Sequence, residues 1–173
     1  MFDIEFDRTI SSELPADELW PLVKGAFENP ATSPLWPVPL EEVEPIELSD
    51  GAPIAATYAV GPLKFRPRYH ITDFDERGRS FRYQSDAYHP LKGGATVRVQ
   101  PRQQSNSALR WTGSYRPRLH PLAPGAVVFV RLYFVRTFFA NLESNLRDYE
   151  ARFNAPTTGG DASSSRPDSP AES

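Results

Sequence analysis

Apolar and polar residues alternate singly at the start of the chain, with Phe2, Ile4 and Phe6 on one side and Asp3, Glu5 and Asp7 on the other. A period of two sends successive side chains to opposite faces, so this segment is predicted as a half-buried strand with an acidic outer side. Ser12 then precedes Glu13-Leu14-Pro15-Ala16-Asp17-Glu18-Leu19-Trp20. A proline near the first turn and acids at the positive helix end predict a helix start there. Leu19, Trp20, Leu22 and Val23 form its apolar face. Asn29 to Pro39 holds four prolines among aromatic and aliphatic residues and is predicted as a second, short and irregular helical element.

From Val43 to Arg118 the pattern is one of strands and turns. Strands are predicted over Val43–Leu48, Ile54–Val60, Phe65–Asp75, Ser80–Ala87, Ala95–Arg102 and Ala108–Arg116. Ser-Asp-Gly, Gly-Pro, Glu-Arg-Gly, Lys-Gly-Gly and Gln-Ser-Asn-Ser mark the connections. Short links imply an antiparallel meander. From Ala126 to Phe153, Val130, Phe134, Phe138, Leu142 and Tyr149 fall near helical spacing, which predicts a long terminal helix, apolar early and polar late. The fold class is therefore α+β: a seven-stranded antiparallel sheet covered on one face by a long C-terminal helix, with two short helical elements after strand 1. After Phe153 the chain holds no large apolar residue, so 154–173 is expected to be a disordered tail on a domain spanning 1–153.

Composition narrows the function classes. The 173 residues suit a single core. A net charge of −3 provides no global field toward nucleic acid or an anionic membrane. No cysteine is present, which excludes a disulfide, a thiolate nucleophile or a thiolate metal site, and three histidines are the only nitrogen ligands. No metal and no cofactor are expected. The acidic, alternating start lacks the features of a signal peptide, so a cytoplasmic protein is expected. Ala126 to Leu142 is the most apolar stretch, but Arg131 and Arg136 within it favour a buried helix over a transmembrane segment.

The order of elements resembles the START-like superfamily with the helix-grip fold, which includes polyketide cyclase and lipid-transport-like proteins. The resemblance covers roughly residues 1–153. It rests on the opening strand running into Leu14-Pro15-Ala16-Asp17-Glu18-Leu19-Trp20, on Gly93-Gly94-Ala95-Thr96-Val97-Arg98-Val99, and on Phe138-Phe139 and Leu142 in the last helix. It implies a curved sheet gripping that helix around an apolar cavity for a lipid, polyketide or other hydrophobic ligand. The proline-rich stretch Thr32 to Pro39 departs from the simplest pattern and makes an unusual cavity mouth the expectation.

Strand parity assigns the faces. Phe65, Tyr69 and Ile71 share one face, as do Phe81, Tyr83 and Ser85, then Val97 and Val99, then Leu109, Trp111, Gly113 and Tyr115. If a cavity exists, Phe65, Tyr69, Phe81, Tyr83, Val97, Trp111 and Tyr115 wall it together with Phe134, Phe138 and Leu142 of the helix. Tyr69, Tyr83, Tyr115 and Arg131 are then the groups to anchor a ligand hydroxyl or carboxylate. If none exists, the same residues fill a core.

The opposite faces carry Arg66, Arg68 and His70, then Arg82, Arg98 and Arg110. Such a stripe would suit phosphate, but acids are at hand to pair with it and no nucleic-acid module appears. His70 is outward, His89 lies beside a turn and His120 precedes the helix, and none is placed as a catalyst. Lys92-Gly93-Gly94 lacks the remaining signature of a phosphate-binding loop, so its glycines are read as a strand connection, with His89 and Lys92 left as contacts for an anionic ligand group at the rim of any cavity. Three functions stay open: a carrier of a small hydrophobic or amphipathic molecule, a cyclase- or aromatase-like enzyme, and an interaction module using the outer sheet.

Overall fold

The computed structural model describes residues 3–37, 40–60, 63–103, 106–119, 121 and 123–154, with residues 40–43, 56, 58–60 and 63–65 described by backbone alone. His120 and positions 155–173 of the expected tail lie outside the described residues.

Strand β1 (Ile4–Ser12) leads to helix α1 (Ala16–Glu28). Then come β2 (Leu40–Val43), β3 (Pro53–Val60), β4 (Leu63–Phe65), β5 (Arg68–Asp75), β6 (Ser80–Ser85), β7 (Leu91–Pro101) and β8 (Ser107–Pro117). The last described element is the long helix α2 (Ala123–Phe153). The sheet is antiparallel, ordered β1-β8-β7-β6-β5-β3-β2, with β4 paired to β3. The α+β class and the long terminal helix are as expected, while the count of strands differs. Among the described residues there are eight strands, because Arg66-Pro67 divides the run 65–75: Pro67 has no N–H for the ladder, so β4 ends before it and β5 begins after it.

Three other expectations are corrected. Among the described residues a single helix lies between β1 and β2. The described part of the proline-rich segment makes turns, with Thr32 N–H on the Asn29 carbonyl at 3.2 Å and Leu35 N–H on the Ser33 hydroxyl at 3.1 Å. The strand predicted over Val43–Leu48 shifts to Leu40–Val43. Beyond it, Ile46 N–H is claimed by the Glu28 carbonyl at 2.9 Å and Leu48 N–H by the Glu28 carboxylate at 3.0 Å, which ties this segment to the end of α1. Ser12 also does not cap α1. It closes β1, and the Pro15 carbonyl takes the Glu18 and Leu19 N–H groups at 3.0 and 2.9 Å.

The core lies between the inner face of the sheet and the two helices. Ile71, Phe81, Val97, Val99 and Leu109 meet Leu14 and Leu19 of the α1 region and Phe138, Leu142 and Leu146 of α2, all almost wholly buried. Parity along the strands explains this, since each of these sheet residues is on the face assigned by period two. Outward arginines pair across strands, Arg110 with Asp7 through two nitrogens at 3.1 and 2.6 Å and Arg116 with Asp3 at 2.9 Å. By length and composition α2 would reach across a bilayer, yet its second half packs Phe139, Leu142 and Leu146 into this core.

Candidate functional site

A cavity of about 70 Å³ lies between the sheet and α2. Tyr69 from β5, Tyr83 from β6, Trp111 and Tyr115 from β8, and Phe134 and Phe138 from α2 line it. These are six of the residues predicted from parity and helical spacing. Phe81 and Val97 instead belong to the packed core beneath it, being 1% and 0% exposed. Leu142 borders a separate void of about 10 Å³ shared with Trp36, Trp111 and Phe138. The backbone of Phe65 ends β4, and its side chain is outside the described set. Arg131 is exposed, with its guanidinium donating to the Asp3 carbonyl at 3.2 Å, and so does not face the cavity.

Rings dominate the wall. Tyr69 meets Tyr83 edge-on with centroids 5.2 Å apart, and Phe134 stacks on Phe138 at 4.5 Å. Phe27 of α1 and Trp36 of the proline-rich segment add a corner at 5.4 Å from each other. The polar groups are few. The Trp111 indole N–H donates to the Tyr83 hydroxyl at 3.1 Å. Burial pushes the Tyr83 phenol up to about 12, against a weaker opposite pull from its hydrogen bonds with Tyr115 and Trp111. Tyr83 is therefore a neutral phenol at physiological pH, suited to hydrogen bonding and not to acting as a base. Burial likewise raises the Tyr133 phenol. The indole N–H of Trp36 is buried with no partner among the described residues.

His89, expected beside a turn at the rim of any cavity and not as a catalyst, lies deeper than that: it is 6% exposed and forms part of the wall. Asp86 and His89 close a turn through a 3.1 Å backbone bond, the Leu91 N–H donates to His89 Nδ1 at 3.0 Å, and the ring packs on Tyr69 at 5.1 Å. The signal was present as parity: His89 is in step with Leu91, Ala95, Val97 and Val99. It was obscured because β7 begins at Leu91, four residues before the predicted start, so Lys92-Gly93-Gly94 lies inside a strand and not in a connection. Phe129, Val130 and Tyr133 were also missed. The middle of α2, Val130–Phe138, is wound as a π-helix over nine residues, which changes which residues share a face. π-Helical turns are rare and frequent at functional sites. Trp36 had no periodic pattern to reveal it.

Among the described residues no cluster of three histidine or acidic side chains is placed to hold a metal. The outer face of the sheet carries a wide polar trough in which Arg82, Lys92 and Arg116 alternate with Glu5 and Asp7.

The chain belongs to the polyketide cyclase / dehydrase and lipid transport family, which matches residues 3–151. Solved structures share the fold. Norcoclaurine synthase from Thalictrum flavum, in complex with dopamine and hydroxybenzaldehyde, superposes with a TM-score of 0.60 at 14% identity, covering 88% of this chain and 86% of that one. The Zhui aromatase/cyclase from a Streptomyces strain gives 0.61 at 19% identity, covering 89% and 96%. Ara h 8.0201 gives 0.60 at 14% identity, covering 85% and 99%. At these identities the likeness is one of fold. Among curated proteins no sequence matches.

Proposed function

We propose that residues 1–153 act as one domain that takes up a small hydrophobic or amphipathic molecule between the sheet and α2. The observation that carries this reading is the make-up of the cavity wall, with aromatic rings on all sides and a few convergent polar groups at Tyr83, Trp111 and Tyr115. Binding sites for small molecules have this character, apolar area for affinity and few directional groups for orientation. The buried Trp36 N–H supports it too, since a donor without an acceptor costs about 1–3 kcal/mol and a bound oxygen would recover part of that.

The cavity is small. At about 70 Å³ it falls below the roughly 300–1,000 Å³ of ordinary small-molecule pockets, so a ligand enters by displacing half-buried rings of α2, with Phe129, Tyr133 and Phe134 the movable ones. A molecule of one or two rings suits this better than a long polyketide. The ring-bearing ligands named for norcoclaurine synthase are of that class. A cyclase-like reaction needs a proton-transfer group at a ligand carbonyl. The described wall has no Asp, Glu, Lys or Arg, and its one imidazole, His89, takes the Leu91 N–H on Nδ1 at 3.0 Å, so the apolar make-up of the wall carries the preference for binding over catalysis. The outer sheet favours a solvated face, because Arg110 and Arg116 are already paired with acids.

Native mass spectrometry of the purified chain tests the reading. A co-purified small molecule, or saturable binding of 4-hydroxybenzaldehyde or 2-naphthol weakened by Tyr83→Phe, is the expected result. A chain that is empty and binds neither probe would end the proposal and leave the rings as packed core.

A further inference from the structure

A second feature lies beside the cavity, at the end where His89 meets the start of α2. Of the large hydrophobic side chains exposed among the described residues, Tyr88, Leu119, Val128 and Leu132 sit at this end and only Phe153 lies elsewhere. They are held together by the fold. Arg118 donates through its backbone to the Pro90 carbonyl at 2.9 Å and through its guanidinium to the Asp86 carbonyl at 3.3 Å, which sets Leu119 beside the turn bearing Tyr88. That turn supplies His89 to the same wall as Ala126, Phe129 and Val130 of α2. Val128 and Leu132, 55% and 60% exposed, stand on the outer side of that helix. Single exposed apolar side chains are ordinary, whereas a cluster of them marks an interaction surface.

Charge indicates what covers it. The chain is net acidic, yet between Asp86 and Glu143 it has no Asp or Glu at all. Arg118, Arg131 and Arg136 flank the apolar cluster, and Arg131 and Arg136 are exposed. The acids nearest this end are already engaged, Asp86 with His70 at 3.0 Å and Asp3 with Arg116 at 2.9 Å. An isologous contact with a second copy would bring these arginines against one another, which opposes it. A lipid surface bearing anionic headgroups accepts both parts, with apolar side chains entering the headgroup boundary and guanidinium groups meeting phosphate.

We propose that this end of the molecule, the exposed side of α2 from Val128 to Arg136 with Tyr88 and Leu119, docks on an anionic bilayer surface. The helix lies in the interface plane, since its other side is the cavity wall and core. This proposal stands on exposure and charge and does not require that the cavity be occupied.

Flotation of the full chain with unilamellar vesicles tests it. The chain is expected to float with phosphatidylcholine vesicles containing phosphatidylglycerol at low salt, more weakly at physiological salt, and not with phosphatidylcholine alone. Arg136→Gln is expected to lower the partition coefficient about fivefold, the effect of one charge near an anionic surface. Leu132→Asp is expected to lower it by roughly tenfold or more, with an unchanged thermal midpoint showing that the fold is intact. No flotation at low salt overturns the proposal. So does flotation that is indifferent to Leu132→Asp, which would assign binding to the outer-sheet arginines. A dimer in light scattering that Leu132→Asp dissociates, with no vesicle binding, would assign the face to a second copy; capture by an acidic protein with no vesicle binding would assign it to that partner. Small-molecule binding is read separately, so failure of the cavity proposal leaves this outcome distinct.

Discussion

The Trp111 indole donates to the Tyr83 hydroxyl at 3.1 Å, a bond formed between β6 and β8 across β7 at the floor of the cavity. The same burial that makes this bond possible raises the Tyr83 phenol from 10.0 to about 12. Between those values the folded chain keeps a proton that the unfolded chain has lost. Stability is therefore fully present below about pH 10 and falls as pH rises toward about 12, by roughly 3 kcal/mol at 1.36 kcal/mol per unit. Urea midpoints taken across that window should show the decline, and Tyr83→Phe should flatten it while lowering stability at neutral pH by about 1–3 kcal/mol, because the Trp111 donor is left unpaired. Parallel alkaline losses in the two proteins would refute the assignment to Tyr83.

Phe134 lines the cavity, is half-buried, and stacks on Phe138 at 4.5 Å. Phe134→Ala removes one movable part of the wall. It should cost about 2–3 kcal/mol, less than a fully buried phenylalanine, and should tighten the binding of 4-hydroxybenzaldehyde measured by titration calorimetry. Trp111→Ala is a poorer probe, since Trp111 is 3% exposed and its loss threatens the fold. Weaker binding by Phe134→Ala than by the unaltered chain would show that Phe134 contacts the ligand and does not obstruct it.

How far the sequence discloses this site follows from periodicity. Where a regular period held, as at Tyr69, Tyr83, Trp111 and Tyr115, parity alone placed the side chain on the cavity face, because a strand leaves only two choices. Parity could not separate cavity from core: Phe81 and Val97 have the right face and are covered by other side chains, which depends on contacts distant in sequence. Helical spacing found Phe134 and Phe138; Arg131, chosen for its chemistry as a ligand anchor and not by spacing, turns to the Asp3 carbonyl instead, and π winding from Val130 to Phe138 breaks the 3.6-residue rule that would have placed its neighbours. Trp36 and Phe27 come together at 5.4 Å only because turns in a proline-rich segment bring the chain back over α1, and no local pattern encodes that return.

Glu150, near the end of α2, is 6% exposed. It accepts the Ser12 hydroxyl at 2.5 Å and the Glu13 N–H at 2.9 Å, joining the end of the terminal helix to the end of β1. Hydrogen bonds to a charged group are worth about 1.5–3 kcal/mol each, and removal of the acceptor leaves two donors buried or part-buried. Glu150→Ala is expected to destabilise by about 2–4 kcal/mol, and Glu150→Gln, which keeps an acceptor oxygen, by about half as much. Hydrogen exchange should locate the loss in the last turns of α2 and the β1–α1 connection. A uniform increase in exchange over the whole sheet would show that Glu150 supports the fold globally and not as a local clasp.

Two Gly→Ala substitutions are expected to have opposite signs. A Cβ at Gly94 would lie 2.0 Å from the Tyr83 carbonyl oxygen, a contact with strand backbone that no rotamer relieves. Gly93 beside it has φ +141 and its Cβ would lie 2.0 Å from the Ser114 carbonyl oxygen. These glycines thus let β6 and β8 approach β7 at the point where the sheet carries the cavity floor. Gly25, inside α1, has nothing within 4 Å of a Cβ. Gly94→Ala should therefore destabilise by about 1–3 kcal/mol or more, whereas Gly25→Ala should stabilise by about 0.5–1 kcal/mol by restricting the unfolded chain and favouring the helix. Chemical denaturation of the two variants decides this, and the displacement of β6 in Gly94→Ala should also weaken any ligand that bonds Tyr83. Equal stability of Gly94→Ala and the unaltered chain would mean that the strands separate at little cost, and that the close approach at Gly94 does not hold the cavity floor in place.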